Sequence, residues 1–344
     1  SSCAPRSCAK SAIIARAAAG KRRQLSVKSL AMAAVPESVS AEQRLVCAII
    51  PPLCSERHKG QAGRIGILGG SVDYTGAPYF AGMAALRTGA DLAYVLCPTS
   101  AAQAIKSYGP ELMVMPFPET GGPDAAAQRV CDLLPRLHAL VIGPGLGRAE
   151  ATGGLVKTVV AKARSLSLPL VVDADGLHFV ARDPDMLRGY QRVLLTPNAH
   201  ELEVLCNAVL GVRAAVSDRT EAARQLARGL GNVTVLAKGS EDVVTDGRVT
   251  LTCREQGSPR RCGGQGDILS GAAATLMFWS HAADAPAGDG SSGQVPPAAL
   301  AALGAAMLVR RCSRLAFQKM ARSTLTTDML AEIRTAFSAL FPVD

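Results

Sequence analysis

The feature that most limits what this chain can become is a series of short, nearly unbroken apolar runs beginning at residue 64. They alternate with longer Ala- and Leu-rich stretches of helical period. A strand buried on both faces reads as a continuous Val/Ile/Leu run, and strands alternating with helices build a parallel sheet covered on both sides. The expected strands are 64–69, 92–98, 112–117, 139–143, 169–173, 192–196 and 233–238. Expected helices between and after them are 78–88, 125–137, 152–165, 199–207 and 218–228, the last stopped by Gly229. Around Gly247, residues 243–245 and 248–252 read as a hairpin that breaks the alternation late in the chain. Helices 268–279 and 297–320 follow, separated by a Gly-, Ser-, Ala- and Asp-rich stretch, 281–296, that reads as a mobile surface loop. The fold class is α/β: a central, mostly parallel sheet flanked by helices on both faces, with a small late β-hairpin. No repeat of solenoid period is present.

The formal charge of +9 suggests a nucleic-acid partner, but its placement argues against one. Residues 1–36 hold Arg6, Lys10, Arg16, Lys21, Arg22, Arg23, Lys28 and no acid, so only +2 of the +9 remains for 37–344. That is too little for a basic stripe that displaces counterions from nucleic acid. An Ala-, Ser- and Arg-rich leader without acids has the composition of an organellar transit peptide, addressed to a mitochondrion or chloroplast. Its apolar stretches are too short to span a bilayer, so no membrane partner is expected. The chain does not open on Met, and Met32 is a candidate internal start that omits the leader and adds a cytosolic form. Residues 1–45 are thus expected to be a leader and 46–344 one domain. The ten Cys lack any C-x-x-C pair and no His clusters near them, so they read as reduced, buried small hydrophobes rather than zinc ligands. The sequon Asn232-Val233-Thr234, inside an expected strand, reads as chance.

The most informative segment is Gly257-Ser258-Pro259-Arg260-Arg261-Cys262-Gly263-Gly264-Gln265-Gly266-Asp267, which runs straight into an apolar helix. Glycines there let backbone N–H groups converge where a Cβ would block approach, and a helix N-terminus adds partial positive charge. Together they form an anion hole for a phosphoryl group. Asp267, in the first turn, is placed to take the proton of an attacking hydroxyl as general base; an N-terminal capping acid is the bland alternative.

Other strand ends also carry polar or flexible residues. Gly143-Pro144-Gly145-Leu146-Gly147 follows one strand, but as G-x-G-x-G it fails the dinucleotide fingerprint. Gly69-Gly70-Ser71 lacks the Lys of a P-loop. Asp173, Asp175, Asn198 and Glu201 are expected to face one crevice, suited to ribose hydroxyls, amides or a hydrated magnesium ion. Lys238-Gly239-Ser240-Glu241-Asp242 supplies a cation and flexible backbone suited to a nucleotide. His178 and His200 read as structural, and no Ser/His/Asp arrangement is evident.

In order, G-P-G-L-G, D-A-D-G, T-P-N-x-x-E, K-G and G-G-x-G-D resemble the ribokinase-like superfamily, and specifically its ATP-dependent NAD(P)H-hydrate dehydratases. His58-Lys59-Gly60-Gln61-Ala62-Gly63-Arg64 and Tyr74-Thr75-Gly76-Ala77-Pro78-Tyr79 are similar to eukaryotic members, and the likeness runs from about residue 45 to the C-terminus. The resemblance implies ATP held by Lys238, Gly239, Ser240, Glu241, Asp242 and the 257–266 segment. It implies hydrate contacts at Gly145, Asn198, Ala199, His200, Glu201, Leu202, Glu203, Val204 and Asp267. It further implies that Asp267 deprotonates the C6 hydroxyl of the hydrated nicotinamide ring, that ATP phosphorylates it with magnesium neutralising charge, and that phosphate then leaves. Some relatives carry a fused epimerase domain, for which the 45 leading residues are too few, so epimerisation falls to a separate protein. No protein ligand for a metal is specified, and homo-oligomerisation stays open. The rival readings are a small-alcohol kinase of the same superfamily, of the thiamin-precursor type, and a non-catalytic nucleotide sensor.

Overall fold

The computed structural model describes residues 39–211, 218–283 and 295–343. Residues 1–38 of the expected leader and positions 284–294 of the expected loop lie outside them. Nine strands form one sheet: β1 (Arg64–Leu68), β2 (Leu92–Pro98), β3 (Met113–Phe117), β4 (Ala139–Ile142), β5 (Leu170–Val172), β6 (Val193–Leu195), β7 (Thr234–Ala237), β8 (Asp242–Thr245) and β9 (Thr250–Cys253). Their order is β3-β2-β1-β4-β5-β6-β7-β8-β9. The first seven pair in parallel, while β8 and β9 add an antiparallel edge.

The helices are α1 (Ala41–Cys47), α2 (Gly76–Thr88), α3 (Thr99–Ser107), α4 (Gly122–Cys131), α5 (Glu150–Ser165), α6 (Asp175–Arg182), α7 (Ala199–Leu210), α8 (Arg219–Gly229), α9 (Gln265–Ala282), α10 (Pro297–Met320), α11 (Thr326–Ala331) and α12 (Ile333–Leu340). Period-two alternation splits the strand side chains between two cores. Ile65, Ile67, Val141, Val171, Leu194 and Leu236 face a core built with α2, α3, α9 and α10. Leu68, Leu140, Ile142, Val172, Leu195 and Val235 face a second core built with α4, α5, α7 and α8. Both faces are therefore covered, as the unbroken apolar runs require.

Each expected strand is present, most of them shorter at the ends. Gly69, Gly143, Asp173, Thr196 and Lys238 fall just past the last paired residue of their strands. Expected helix 125–137 is split, because after Cys131 the chain tightens into a 3-10 turn at Leu134–Arg136 that carries Pro135. Five short helices, α1, α3, α6, α11 and α12, have no counterpart among the expected ones. His281 and Ala282 belong to α9 rather than to the following loop.

At the other end, α1 begins with a capping box in which Ser40 Oγ accepts from Gln43 N at 3.2 Å and Gln43 Oε1 accepts from Ser40 N at 2.9 Å. Val46 is fully buried, with Gly304 of α10 among its neighbours. A boundary between residues 45 and 46 thus falls inside this helix. Among the described residues no helix is long and apolar enough to cross a membrane.

Candidate active site

Strands β2 and β3 lie to one side of β1 and β4 to β7 to the other, so the order reverses between β1 and β4. Crevices in open α/β sheets form outside the carboxyl ends of strands at such a reversal. Gly69 and Gly70 leave β1 there, and Gly70 N donates to Pro144 O at 2.9 Å, joining this turn to the Gly143–Gly147 loop after β4. Gly145 sits at φ +61°, where a Cβ would stand 2.6 Å from Tyr74 O. Only glycine serves here, and the exposed Tyr74 is thereby fixed at the crevice mouth.

The next three strand ends meet at one ion pair. Asp173, after β5 and almost fully buried, accepts from Lys238 Nζ at 3.0 Å and from Thr196 Oγ1 at 2.7 Å. Lys238, after β7, also lies 3.8 Å from Glu201. Burial pulls the lysine pKa down, but Asp173 and Glu201 outweigh it and hold the ammonium charged. Between Asp173 and Asp175, Ala174 has φ +48°, a conformation costly for a residue with a Cβ and characteristic of strained functional turns. Asp175 turns away from this pair and accepts from Gly147 N at 3.0 Å and Arg148 Nε at 2.8 Å. Of the four residues expected to share the crevice, it alone is tied to the β4 loop.

The Gly-rich segment closes the crevice. Gly264 is the N-cap of α9, with φ +95° and no side-chain cap, so the first-turn N–H groups have no intrahelical acceptor. A Cβ on Gly266 would stand 3.4 Å from Asp173 Oδ2 and 3.7 Å from Lys238 Nζ, which places this helix start over the ion pair. Asp267 is the third helical residue. Burial first, and then the charge of Asp173, push its pKa up to about 7 against the pull of Lys238. A carboxylate tuned to that range is matched to proton abstraction near neutral pH. Outside the helix the loop is braced by its own polar atoms: Thr326 Oγ1 donates to Gly263 O, and Ser258 Oγ lies 2.7 Å from Ser313 Oγ. Pro259 and Arg261 are exposed on its outer side, while Gln265 Nε2 donates to Arg260 O at 3.2 Å.

Not every residue singled out from sequence offers its side chain to the crevice. Leu202 is fully buried in the second core. Ala199, His200, Glu203 and Val204 are exposed on α7. Asn198 and Glu201 are joined in a capping box, at 2.9 Å and 2.8 Å. The carboxylate of Asp242 is taken up by Arg310, at 2.6 and 2.7 Å, and by Gly239 N at 2.9 Å, while Ser240 and Glu241 are exposed. The H-K-G-Q-A-G-R segment lies at the opposite, amino-terminal edge of the sheet. There Asp91 accepts from Gly60 N at 2.7 Å and Ala62 N at 2.9 Å, and Trp279 Nε1 donates to Ala62 O at 2.7 Å. His178 packs edge-on against Phe179.

Arg310 and Thr326 were not singled out from sequence, and Thr196 was read only as the first residue of T-P-N-x-x-E. Thr326 carries no spacing signal, but the pair Arg310-Arg311 interrupting the apolar face of α10 was a visible anomaly. Among the described residues no group of three or more His, Cys, Asp or Glu side chains converges as a metal site.

Solved structures share this architecture. A ribokinase-like superfamily protein of Enterococcus faecalis superposes with a TM-score of 0.64 at 18% identity, covering 87% of this chain and 94% of that one. An ADP/ATP-dependent NAD(P)H-hydrate dehydratase of Bacillus subtilis, co-crystallised with ATP and Mg2+, gives 0.64 at 22%, covering 89% and 100%. The fold class is ribokinase-like. A family model described as NAD(P)H-hydrate dehydratase matches residues 65–335. The ATP-dependent (S)-NAD(P)H-hydrate dehydratase of Ixodes scapularis is 61% identical over 313 residues, 90% of this chain and 99% of that protein. The chain belongs to the NAD(P)H-hydrate dehydratase family.

Proposed function

We propose that this protein uses ATP to dehydrate the S-epimer of hydrated NADH and NADPH, regenerating the reduced dinucleotide and releasing ADP and phosphate. The observation that carries this reading is the uncapped start of α9, set over the Asp173–Lys238 pair with Asp267 in its first turn. The helix N-terminus receives phosphoryl oxygens through its free N–H groups. Asp267 takes the proton of the ring hydroxyl as oxygen attacks the terminal phosphorus of ATP. Phosphate is a far better leaving group than hydroxide, so it departs with the C–O bonding pair as the ring nitrogen donates its own pair. Loss of a ring proton then restores the double bond. Lys238 offsets the charge that gathers beside Asp267.

The nucleotide lies along Lys238, Gly239, Ser240, Glu241, Asp242 and the 257–266 segment, and the hydrate along Gly145 and the first turn of α7. In the second region Asn198 and the exposed residues of α7 make the contacts, with Leu202 serving as packing beneath them. Magnesium would supply charge neutralisation on the phosphates, and Asp173 Oδ2, left free by Lys238 and Thr196, would be the crevice oxygen to complement a phosphate-bound ion, which needs only one or two carboxylates.

The finer assignments rest on sequence character. The acid-free leader supports delivery to a mitochondrion or chloroplast, with a start at Met32 giving a cytosolic form. The buried Val46 supports a domain that begins near Ser40 rather than at residue 46. The test is to incubate the full chain with (S)-NADPHX, MgCl2 and ATP. Return of NADPH absorbance with one phosphate released per turnover is expected, whereas a stable phosphorylated product marks a kinase and no ATP consumption marks a sensor.

A further inference from the structure

The N–H groups of the Arg310 guanidinium point at the loop after β7 and at Glu255, beside the Gly-rich segment. Nε and one Nη bond the two oxygens of Asp242, at 2.6 and 2.7 Å, in a fork. The same Nη donates to Gly239 O at 2.7 Å, and the other donates to Ser240 O at 2.7 Å and to Glu255 O at 3.3 Å. Four of the five acceptor atoms are carbonyl or carboxylate oxygens of residues 239, 240 and 242, and the aliphatic stem of Arg310 lies 3.8 Å from where a Cβ on Gly257 would sit. One side chain therefore ties the loop after β7 to the strand exit that leads into the Gly-rich segment. Its neighbours continue the pattern: Arg311 forks Glu255 at 2.6 and 3.0 Å, and Arg314 reaches the same carboxylate at 3.2 Å. From the other side the loop is crossed by Arg219, which donates to Glu241 O at 2.5 Å.

A packing role alone does not require this. Arg310, Arg311 and Arg314 interrupt a helix otherwise rich in Ala and Leu, and a mostly buried guanidinium is costly to desolvate unless every donor is used. Its planar fork fixes direction as well as distance, which an ammonium cannot do. With both carboxylate oxygens engaged, Asp242 has none left for a donor of the nucleotide, so its contribution to the nucleotide site is the loop shape it shares with Arg310.

We infer that Arg310 is a positioning residue for the nucleotide, holding the 239–242 loop and the 255–257 segment at the separation that ATP bridges. This rests on the proposed ATP-dependent reading.

Calorimetric titration of the full chain with Mg·ATP, paired with steady-state kinetics on (S)-NADPHX, tests it in Arg310→Lys and Asp242→Asn. Both are expected to weaken ATP binding and raise its KM by about tenfold, the loss that follows from one disrupted charge-assisted hydrogen-bond pair. The KM for the hydrate and kcat at saturating ATP stay near wild type. A fall in Tm with unchanged ATP affinity overturns the assignment and leaves Arg310 as packing only. An equal fall in hydrate affinity overturns it as well. No ATP binding by the wild-type chain sinks the nucleotide reading itself, a result distinct from either. Should Arg310→Lys fail to fold, Asp242→Asn, which keeps size and removes only charge, reads the same fork from the other side.

Discussion

Helices α7 and α9 both start at the carboxyl edge of the sheet, and both carry an acid as their third residue, yet they end differently. In α7 the N-cap is Asn198, whose oxygen accepts from Glu201 N while the Glu201 carboxylate accepts from Asn198 N, so the first turn is satisfied internally. In α9 the N-cap is Gly264, which has no side chain to accept, and Asp267 faces Asp173 and Lys238. N-A-H-E and G-Q-G-D thus place an acid at the same distance from the cap with opposite results. Glycine at the cap leaves free N–H groups for an anion and a carboxylate free for chemistry, whereas asparagine spends both on the helix itself.

The sharpest way to break this comparison is to remove each acid. Asp267→Asn is expected to lower kcat by on the order of 10²–10⁴ with ATP binding retained, the usual cost of losing a positioned general base. Glu201→Gln, at the equivalent position of α7, should leave kcat nearly unchanged. Rate assays on purified, folded variants check both, and comparable losses in the two would erase the distinction.

The pH profile sharpens it further. Because burial raises Asp267 to about 7, its base form is present above that pH, and kcat/KM should fall as pH drops through about 7. The stability sign is the reverse. A folded pKa above the unfolded one means that the native state holds the proton more tightly. Asp267 therefore costs stability progressively as pH rises from its ordinary value to about 7, with the cost constant above. Asp267→Asn should then match or exceed wild type in Tm at pH 8, with the difference shrinking toward pH 4. A lower Tm at pH 8 would contradict the burial that sets this pKa.

A smaller effect separates the two glycines before α9. A Cβ on Gly263 meets nothing within 4 Å, whereas one on Gly264 would stand 2.8 Å from Thr326 at φ +95°. Gly263→Ala is expected to raise the KM for ATP several-fold at unchanged Tm. Gly264→Ala should lower Tm through backbone strain of about 1 kcal/mol or more, which makes it the poorer probe of phosphate binding. Melting curves beside ATP titrations distinguish them.

The sheet was legible because doubly buried strands announce themselves as unbroken runs, and Leu92–Pro98 falls where expected to the residue. Pro297–Met320 was as clear, a long Ala/Leu helix opened by proline. What escaped was short or hid behind turn chemistry. Asp175–Arg182 starts inside D-A-D-G, where Gly176 reads as a turn, yet that glycine is there because a Cβ would stand 2.4 Å from Ile142 O. Within the site, Asp267 and the Gly-rich loop are contiguous and so visible. The Asp173–Lys238 contact spans 65 residues, and Arg310 lies 68 from Asp242, separations that carry no local period. Motif order located the strand ends. Only the fold showed that Asp242 and Glu201 spend their carboxylates on neighbours while Asp267 does not.

The smallest expected effect tests whether the capped helix contributes to binding at all. The Asn198 oxygen is spent on Glu201 N, which leaves its amide nitrogen to offer a ligand. Asn198→Ala removes both and should cost about 1 kcal/mol of stability together with a modest rise in the KM for the hydrate. Asn198→Asp keeps an equally good cap but replaces the donor by an acceptor, so stability should return while the raised KM for the hydrate persists. The KM for ATP should not move in either, since the phosphate donors belong to α9. If Asn198→Asp restores both stability and KM, Asn198 is a cap alone, and the hydrate site lies on the Gly145 side of the crevice.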